Sequence, residues 1–270
     1  MLPIVELFST VQGEGQFSGI PSHFIRVTGC NLRCVFKDSI CDTAYTSFKP
    51  EQPIYKSTEE FYAAFEEQCK KYPNIHHIVI TGGEPLLYRK ELENFLDFVY
   101  QTGNSFIVTI ETNGTQKPLD SYVDLYSISP KLSTSVGKPG IIRCGGQEIK
   151  ISEDAVRKQE FLRINIPALS ELITASQVGD YQLKFVYSGE SCISEIEDII
   201  QRIKDYSKNL DELSQGIIMD VDNHIMLMPE GIVNEQLAVH RKEIAEKCIE
   251  KGWTMTDREH IIIWGNKRCV

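Results

Sequence analysis

From Arg26 to Thr46 the chain reads R-V-T-G-C-N-L-R-C-V-F-K-D-S-I-C-D-T-A-Y-T. Three of its eight cysteines lie there: Cys30 and Cys34 with three residues between them, then Cys41 after six more. Thiolates this close repel one another and oxidise readily unless a metal holds them. A closed structural zinc site needs four ligands in two compact pairs. Here the next cysteine is Cys69 and the nearest histidine is His23. Three cysteines suit a four-iron, four-sulfide (4Fe-4S) cluster whose fourth iron stays open to a ligand.

Outward from this loop the sequence alternates strands and helices. Leu2 to Phe8 reads as a strand leading into T-V-Q-G-E-G (Thr10 to Gly15), where glycines around Gln12 and Glu14 let a ligand approach the backbone. His23 to Thr28 reads as a strand that carries Arg26 toward Cys30. Ser57-Thr58-Glu59-Glu60 is a capping box opening an amphipathic helix through Phe61, Ala64, Phe65 and Tyr72, with Cys69 a free thiol on it. His77 to Thr81 is a strand ending in T-G-G-E-P, with Pro85 at a first helical position. A helix over Arg89 to Gln101 follows. Ser105 to Glu111 and Leu125 to Ser129 are strands tipped by E-T-N-G-T and S-P-K, and Gln182 to Val186 is the fifth in the series. Lys184 inside it is unusual, because strands of parallel sheets are buried on both faces. Helices are expected over Ser194 to Tyr206 and Val233 to Lys251, with a sixth strand over Gly216 to Val221. Residues 132–180 read as a peripheral insertion without chemistry, and Cys144 as no cluster ligand.

These alternations predict one α/β domain over residues 1–270, a parallel sheet curled into a partial (β/α)6 barrel. The loops at its C-terminal face would carry the chemistry. A hydrophobic content of 41% is ample for the core. The formal net charge of -10 argues against nucleic-acid or anionic-membrane ligands, which need basic surfaces. Unpatterned cysteines without a recognisable signal peptide point to a reducing cytoplasm, and Ile261 to Trp264 is too short to span a bilayer.

G-C-N-L-R-C with a third cysteine after it resembles the cluster loop of the radical S-adenosylmethionine (SAM) enzymes, which usually space it C-x3-C-x2-C. C-D-T at Cys41 to Thr43 follows the last cluster cysteine in one family of them, the 7-carboxy-7-deazaguanine synthases. V-Q-G-E-G, G-G-E-P, S-P-K, Q-L-K-F-V and W-G-N-K-R resemble further segments of that family. The resemblance implies a radical SAM fold, with the cluster on Cys30, Cys34 and Cys41 and Mg2+ on Thr43. It places SAM against Ile40, Asp42, Gly82, Gly83, Glu84, Ser129, Pro130, Lys131, Gln182 and Lys184, with Glu84 on its amine. It places a pterin substrate against Val11, Gln12, Gly13, Glu14, Arg26, Thr81 and Val270, with Arg26 gripping the carboxylate.

The implied reaction uses a 5′-deoxyadenosyl radical to take hydrogen from carbon 6 of 6-carboxy-5,6,7,8-tetrahydropterin. Ring contraction and loss of ammonia then give 7-carboxy-7-deazaguanine, a step toward deazapurine nucleosides such as queuosine. An electron donor such as flavodoxin and a homodimer are implied with it. Two rivals stay open. A glycyl-radical activase shares G-C-N-L-R-C but has no need of V-Q-G-E-G. A structural zinc module in a binding protein leaves T-G-G-E-P and S-P-K unexplained.

Overall fold

Along the strand Asp180–Tyr187 side chains alternate: Tyr181, Leu183 and Phe185 on one face, Gln182 and Lys184 on the other, all buried. A similar alternation recurs in His77–Gly82 and Ile107–Thr112, while Ile225–Pro229 is apolar on both faces. The sheet's outer face is apolar and covered by helices, and its inner face is largely polar. The computed structural model describes residues 1–36, 40–144, 147–175 and 179–270, without the side chains at 143, 144 and 147. The side chain of Cys144 and its expected exclusion from the cluster thus lie outside the described residues.

The strands are β1 (Ile4–Val11), β2 (Pro21–Val27), β3 (His77–Gly82), β4 (Ile107–Thr112), β5 (Leu125–Ile128), β6 (Gly140–Cys144), β7 (Gln147–Ile151), β8 (Asp180–Tyr187), β9 (Ile225–Pro229) and β10 (Thr254–Met255). The helices are α1 (Ala44–Ser47), α2 (Thr58–Lys71), α3 (Arg89–Gln101), α4 (Glu153–Leu162), α5 (Ile166–Thr174), α6 (Ser191–Ser207), α7 (Glu212–Met219), α8 (Asn234–Lys251) and α9 (Glu259–Trp264). Among the described residues the main sheet runs β1-β2-β3-β4-β5-β8-β9-β10, while β6 and β7 form a separate hairpin. β1 pairs antiparallel with β2, and every later pairing in the main sheet is parallel. The curl leaves β1 and β10 as edges. The gap is bridged by loops, with Gly15 N–H donating to Thr256 Oγ1 at 2.7 Å and Glu259 N–H to the Gly13 carbonyl at 2.9 Å.

Ser57 caps α2 by accepting the Glu60 N–H at 3.2 Å; the Glu60 carboxylate reaches back to the Lys56 N–H rather than to Ser57. Phe61 and Phe65 of α2, with Phe95 and Leu96 of α3, pack on the outer face of the sheet beside Ile78, Ile80 and Ile110. The strand expected over Gly216 to Val221 is instead α7. Asp211 caps it by accepting the Ser214 N–H, and the neighbouring place in the sheet goes to I-M-L-M-P, whose five residues are all buried. Between 132 and 180, α5 sends Leu169, Leu172 and Ile173 into the main core. The hairpin and α4 build a second, smaller core with Val35 and Ile40 of the cysteine loop. Among the described residues no helix is long and apolar enough to cross a membrane.

Candidate active site

The C-terminal ends of the parallel strands meet the cysteine loop in one cavity. The loop rides directly over the tip of β3. Gly83 N–H donates to the Val27 carbonyl at 3.1 Å, and Glu84 N–H to the Gly29 carbonyl at 2.9 Å. A Cβ on Gly82 would stand 2.1 Å from the Val27 oxygen, and one on Gly83 would stand 2.0 Å from the Gly29 oxygen. The two glycines of T-G-G-E-P are therefore required by a backbone crossing, and their open faces still border the cavity.

Cys30, Cys34 and Cys41 are all free thiols on the cavity wall. Burial pushes the Cys30 thiol up to about 11 and raises Cys34 and Cys41 as well. Thiolates at these positions need a cation to hold them, and iron supplies one. Polar groups already face the sulfurs. The Leu32 N–H lies 3.4 Å from Cys30, the Gln159 amide 3.5 Å from Cys34, and the Thr43 hydroxyl 3.3 Å from Cys41. Among the described residues no three His, Cys, Asp or Glu side chains converge as for a single ion. A cluster asks for something else, one sulfur at each of three corners. The E-T-N-G-T tip of β4 braces the loop, since Asn113 Nδ2 donates to Asn31 Oδ1 at 3.0 Å and Asn31 Nδ2 to Thr115 Oγ1 at 2.8 Å.

The cavity also has a charged wall. Lys184 Nζ lies 2.5 Å from Glu14 Oε2, and Arg258 Nε lies 2.9 Å from Glu14 Oε1. Arg258 also pairs with Asp42 and donates to the Gly231 carbonyl at 2.6 Å. Burial works to raise the Glu14 pKa, but Lys184, Arg258 and His260 together hold it well below the ordinary carboxylate range. Gln12 Nε2 and Thr81 Oγ1 both donate to Glu111, at 3.1 and 2.7 Å. Arg26 spends its Nε on Glu6 at 2.7 Å, an antiparallel partner across β1 and β2. The same Glu6 accepts from Tyr45 at 3.0 Å and from Arg268 Nε at 2.6 Å. Arg268 stacks 3.6 Å over the Tyr45 ring and bonds both oxygens of Glu51.

Most residues expected at the site line this one cavity. They are the three cysteines with Ile40, Asp42 and Thr43, then Gly82, Gly83, Ser129, Lys131 and Lys184, and Val11, Gln12, Gly13, Glu14, Arg26, Thr81 and Val270. Glu84, Pro130 and Gln182 stand behind the wall. Glu84 is fully buried, and its carboxylate accepts from Leu86 N–H, Thr112 Oγ1 and Asn113 N–H at 2.7–3.1 Å; burial pushes its pKa up to about 7. Gln182 holds the loop after β1 by accepting the Gln16 N–H at 2.9 Å and donating to Ser127 at 2.7 Å. Sequence reading missed Glu6, Tyr45, Arg258 and His260, which also line the cavity. Glu6 carried a faint signal, a carboxylate in phase with Gln12 along β1; Arg258 carried none.

The Radical SAM superfamily model matches residues 24–131. A 7-carboxy-7-deazaguanine synthase of Halobacterium salinarum is 36% identical over 98% of this chain and 91% of its own length. The chain belongs to the 7-carboxy-7-deazaguanine synthase family. A synthase of Rhodopirellula baltica is 33% identical over 99% of this chain and 88% of its own length. The crystal structure of QueE from Escherichia coli superposes with a TM-score of 0.55 at 22% identity, covering 96% of this chain and 94% of that one. That likeness shows the fold. It agrees with the partial α/β barrel, open between β1 and β10.

Proposed function

We propose that this chain is a radical SAM lyase that converts 6-carboxy-5,6,7,8-tetrahydropterin to 7-carboxy-7-deazaguanine with loss of ammonia. The observation that carries the reading is the union, in one cavity, of the three cysteines and Arg26. The Halobacterium and Rhodopirellula relatives are named as 7-carboxy-7-deazaguanine synthases, which supports that product. Cys30, Cys34 and Cys41 would hold the cluster, and the open faces of Gly82 and Gly83 with Ser129 and Lys131 would seat SAM. Together these cofactors supply hydrogen-atom abstraction from carbon.

The protein's part is placement. Arg26 lines the cavity and spends its Nε on Glu6, so its two terminal nitrogens would be left as a planar fork for a carboxylate. Lys184 and Arg258 hold Glu14 ionised and aimed, as an acceptor for the ring N–H groups of a pterin. Gln12 and Thr81 are set by Glu111 beside it. The experiment is anaerobic turnover with the carboxypterin, SAM and a reductant. A product of the mass of 7-carboxy-7-deazaguanine is expected; SAM cleavage without that product would sink the substrate assignment.

The reading extends to Mg2+ on Thr43, a flavodoxin-type donor, a homodimer, and a single cytoplasmic catalytic domain with a variable region over 132–180. Family likeness supports these points. For magnesium there is also Thr43 itself. The residue lines the cavity, and its hydroxyl makes no cap bond to α1 but lies 3.3 Å from Cys41 Sγ; an oxygen ligand of this kind suits that ion. Added magnesium should raise turnover of the wild type, and Thr43→Ala should blunt the response. Indifference to both chelator and mutation would remove magnesium from the proposal.

A further inference from the structure

Gln159 lies on α4, well away in sequence from every motif of the site, and only 4% of it is exposed. Its Oε1 accepts the Arg33 N–H at 2.7 Å, and its Nε2 stands 3.5 Å from Cys34 Sγ. These two contacts settle which way the amide points. A backbone N–H can only donate, so the oxygen must face Arg33 and the NH2 must face the sulfur. The helix that delivers it is anchored. Ala155 and Val156 pack on the small core of Val35, Ile40 and Ile151, and Arg163 at its C-terminal end bonds the Lys131 carbonyl at 3.1 Å and Glu195 at 2.5 Å. By contrast the Asn113 amide stands 3.8 Å from Cys30, near the limit for such a bond.

We propose that Gln159 is a positioning residue that holds Cys34 in place and raises the reduction potential of the cluster through an N–H···S hydrogen bond. This rests on the reading of Cys34 as a cluster ligand. Reduction adds negative charge that spreads onto the cysteine sulfurs, and a buried donor aimed at one of them stabilises the reduced form more than the oxidised form. In a site that must accept an electron from a donor protein, that bond makes the electron easier to deliver. The segment between β5 and β8, the least readable in the sequence, thereby acquires a part in the chemistry.

The test is a redox titration of the reconstituted wild type, Gln159→Met and Gln159→Glu, followed by electron paramagnetic resonance of the reduced cluster without turnover. Met removes the donor at similar length and adds no charge. Glu keeps an acceptor for the Arg33 N–H while replacing the donor with a carboxyl oxygen. Iron content should match the wild type. Reduction should be about tenfold less favourable in Gln159→Met, about 59 mV for a one-electron couple, and less favourable still in Gln159→Glu. Unchanged potentials in both variants would overturn the inference. If the variants do not hold iron, the wild type decides. With 15N in glutamine side chains, the reduced cluster should show a 15N hyperfine coupling in double resonance, and its absence would overturn the inference. A Cys34→Ala protein that keeps its full cluster would instead overturn the ligand reading on which this rests.

Discussion

The two faces of the sheet are built from the same strands, yet they do opposite work. On the outer face Ile78, Ile80, Ile110, Leu183 and Phe185 meet the helices and are fully buried. On the inner face, one residue out of step, His77, Thr81, Glu111, Gln182 and Lys184 bond to one another, to neighbouring strands or to the loop after β1. Burial of apolar area holds the outer face together without regard to direction. The inner face is held by directed bonds and ion pairs, each of which must be satisfied or it costs stability. One face tolerates repacking, and the other fixes atoms in space.

The largest break in this comparison should come from the cysteine loop. Cys34→Ala should lose most of the iron and all turnover, because a three-cysteine site has no spare ligand. Cys192→Ala, equally buried on the outer side, should keep its iron. Iron and sulfide analysis after anaerobic purification reads both. Next is Phe185→Ala, which should cost about 3–5 kcal/mol of stability, with iron per folded chain unchanged. Urea midpoints beside iron content check it. A loss of iron from the folded fraction would show that the two faces are not separable.

Arg26→Ala should lower binding or turnover by about 2–5 kcal/mol, on the order of thirtyfold to several-thousandfold. Arg26→Lys should also be impaired, because it keeps the charge and loses the fork. Iron content and SAM affinity should survive both. Near-normal turnover of Arg26→Ala would reduce it to a structural partner of Glu6.

The smallest effect concerns pH. His77 bonds Ser22 at 2.7 Å and Thr109 at 2.8 Å, and burial pushes its pKa down to about 4 from 6.5. The folded state therefore holds His77 neutral while an unfolded chain would protonate it below 6.5. Its contribution is full above that value and falls as the pH drops from 6.5 toward 4, by about 2 kcal/mol between pH 6.5 and pH 5. Urea unfolding at pH 7 and pH 5 should show the decline, and His77→Gln should flatten part of it. An identical slope in the variant would locate the acid sensitivity elsewhere.

The outer face was the legible one. Phe61 and Phe65 at helical spacing, the Ser57 cap and the apolar cores of β3 and β8 follow from local pattern and are where the pattern puts them. Local pattern also misled. G-I-I-M from Gly216 read as a strand, but the Asp211 cap turned it into α7. The site was legible only as far as its motifs reach. The turn T-G-G-E-P was located, but not the crossing under Val27 and Gly29 that sends the Glu84 carboxylate inward to Thr112 and Asn113. Glu14 was found, yet its partner Arg258 lies 244 residues away, and such a pairing depends on how the sheet curls. Gln159 is the extreme case, because nothing in its neighbourhood of sequence refers to Cys34.

Arg268 meets Glu6 across 262 residues. During synthesis all of the longer strands, through Pro229 of β9, are translated before Arg258 and Arg268. The hydrophobic layer can therefore begin to consolidate while the cavity still lacks part of its wall. Messages cut short just past β9 would yield chains with most of the sheet and no finished pocket.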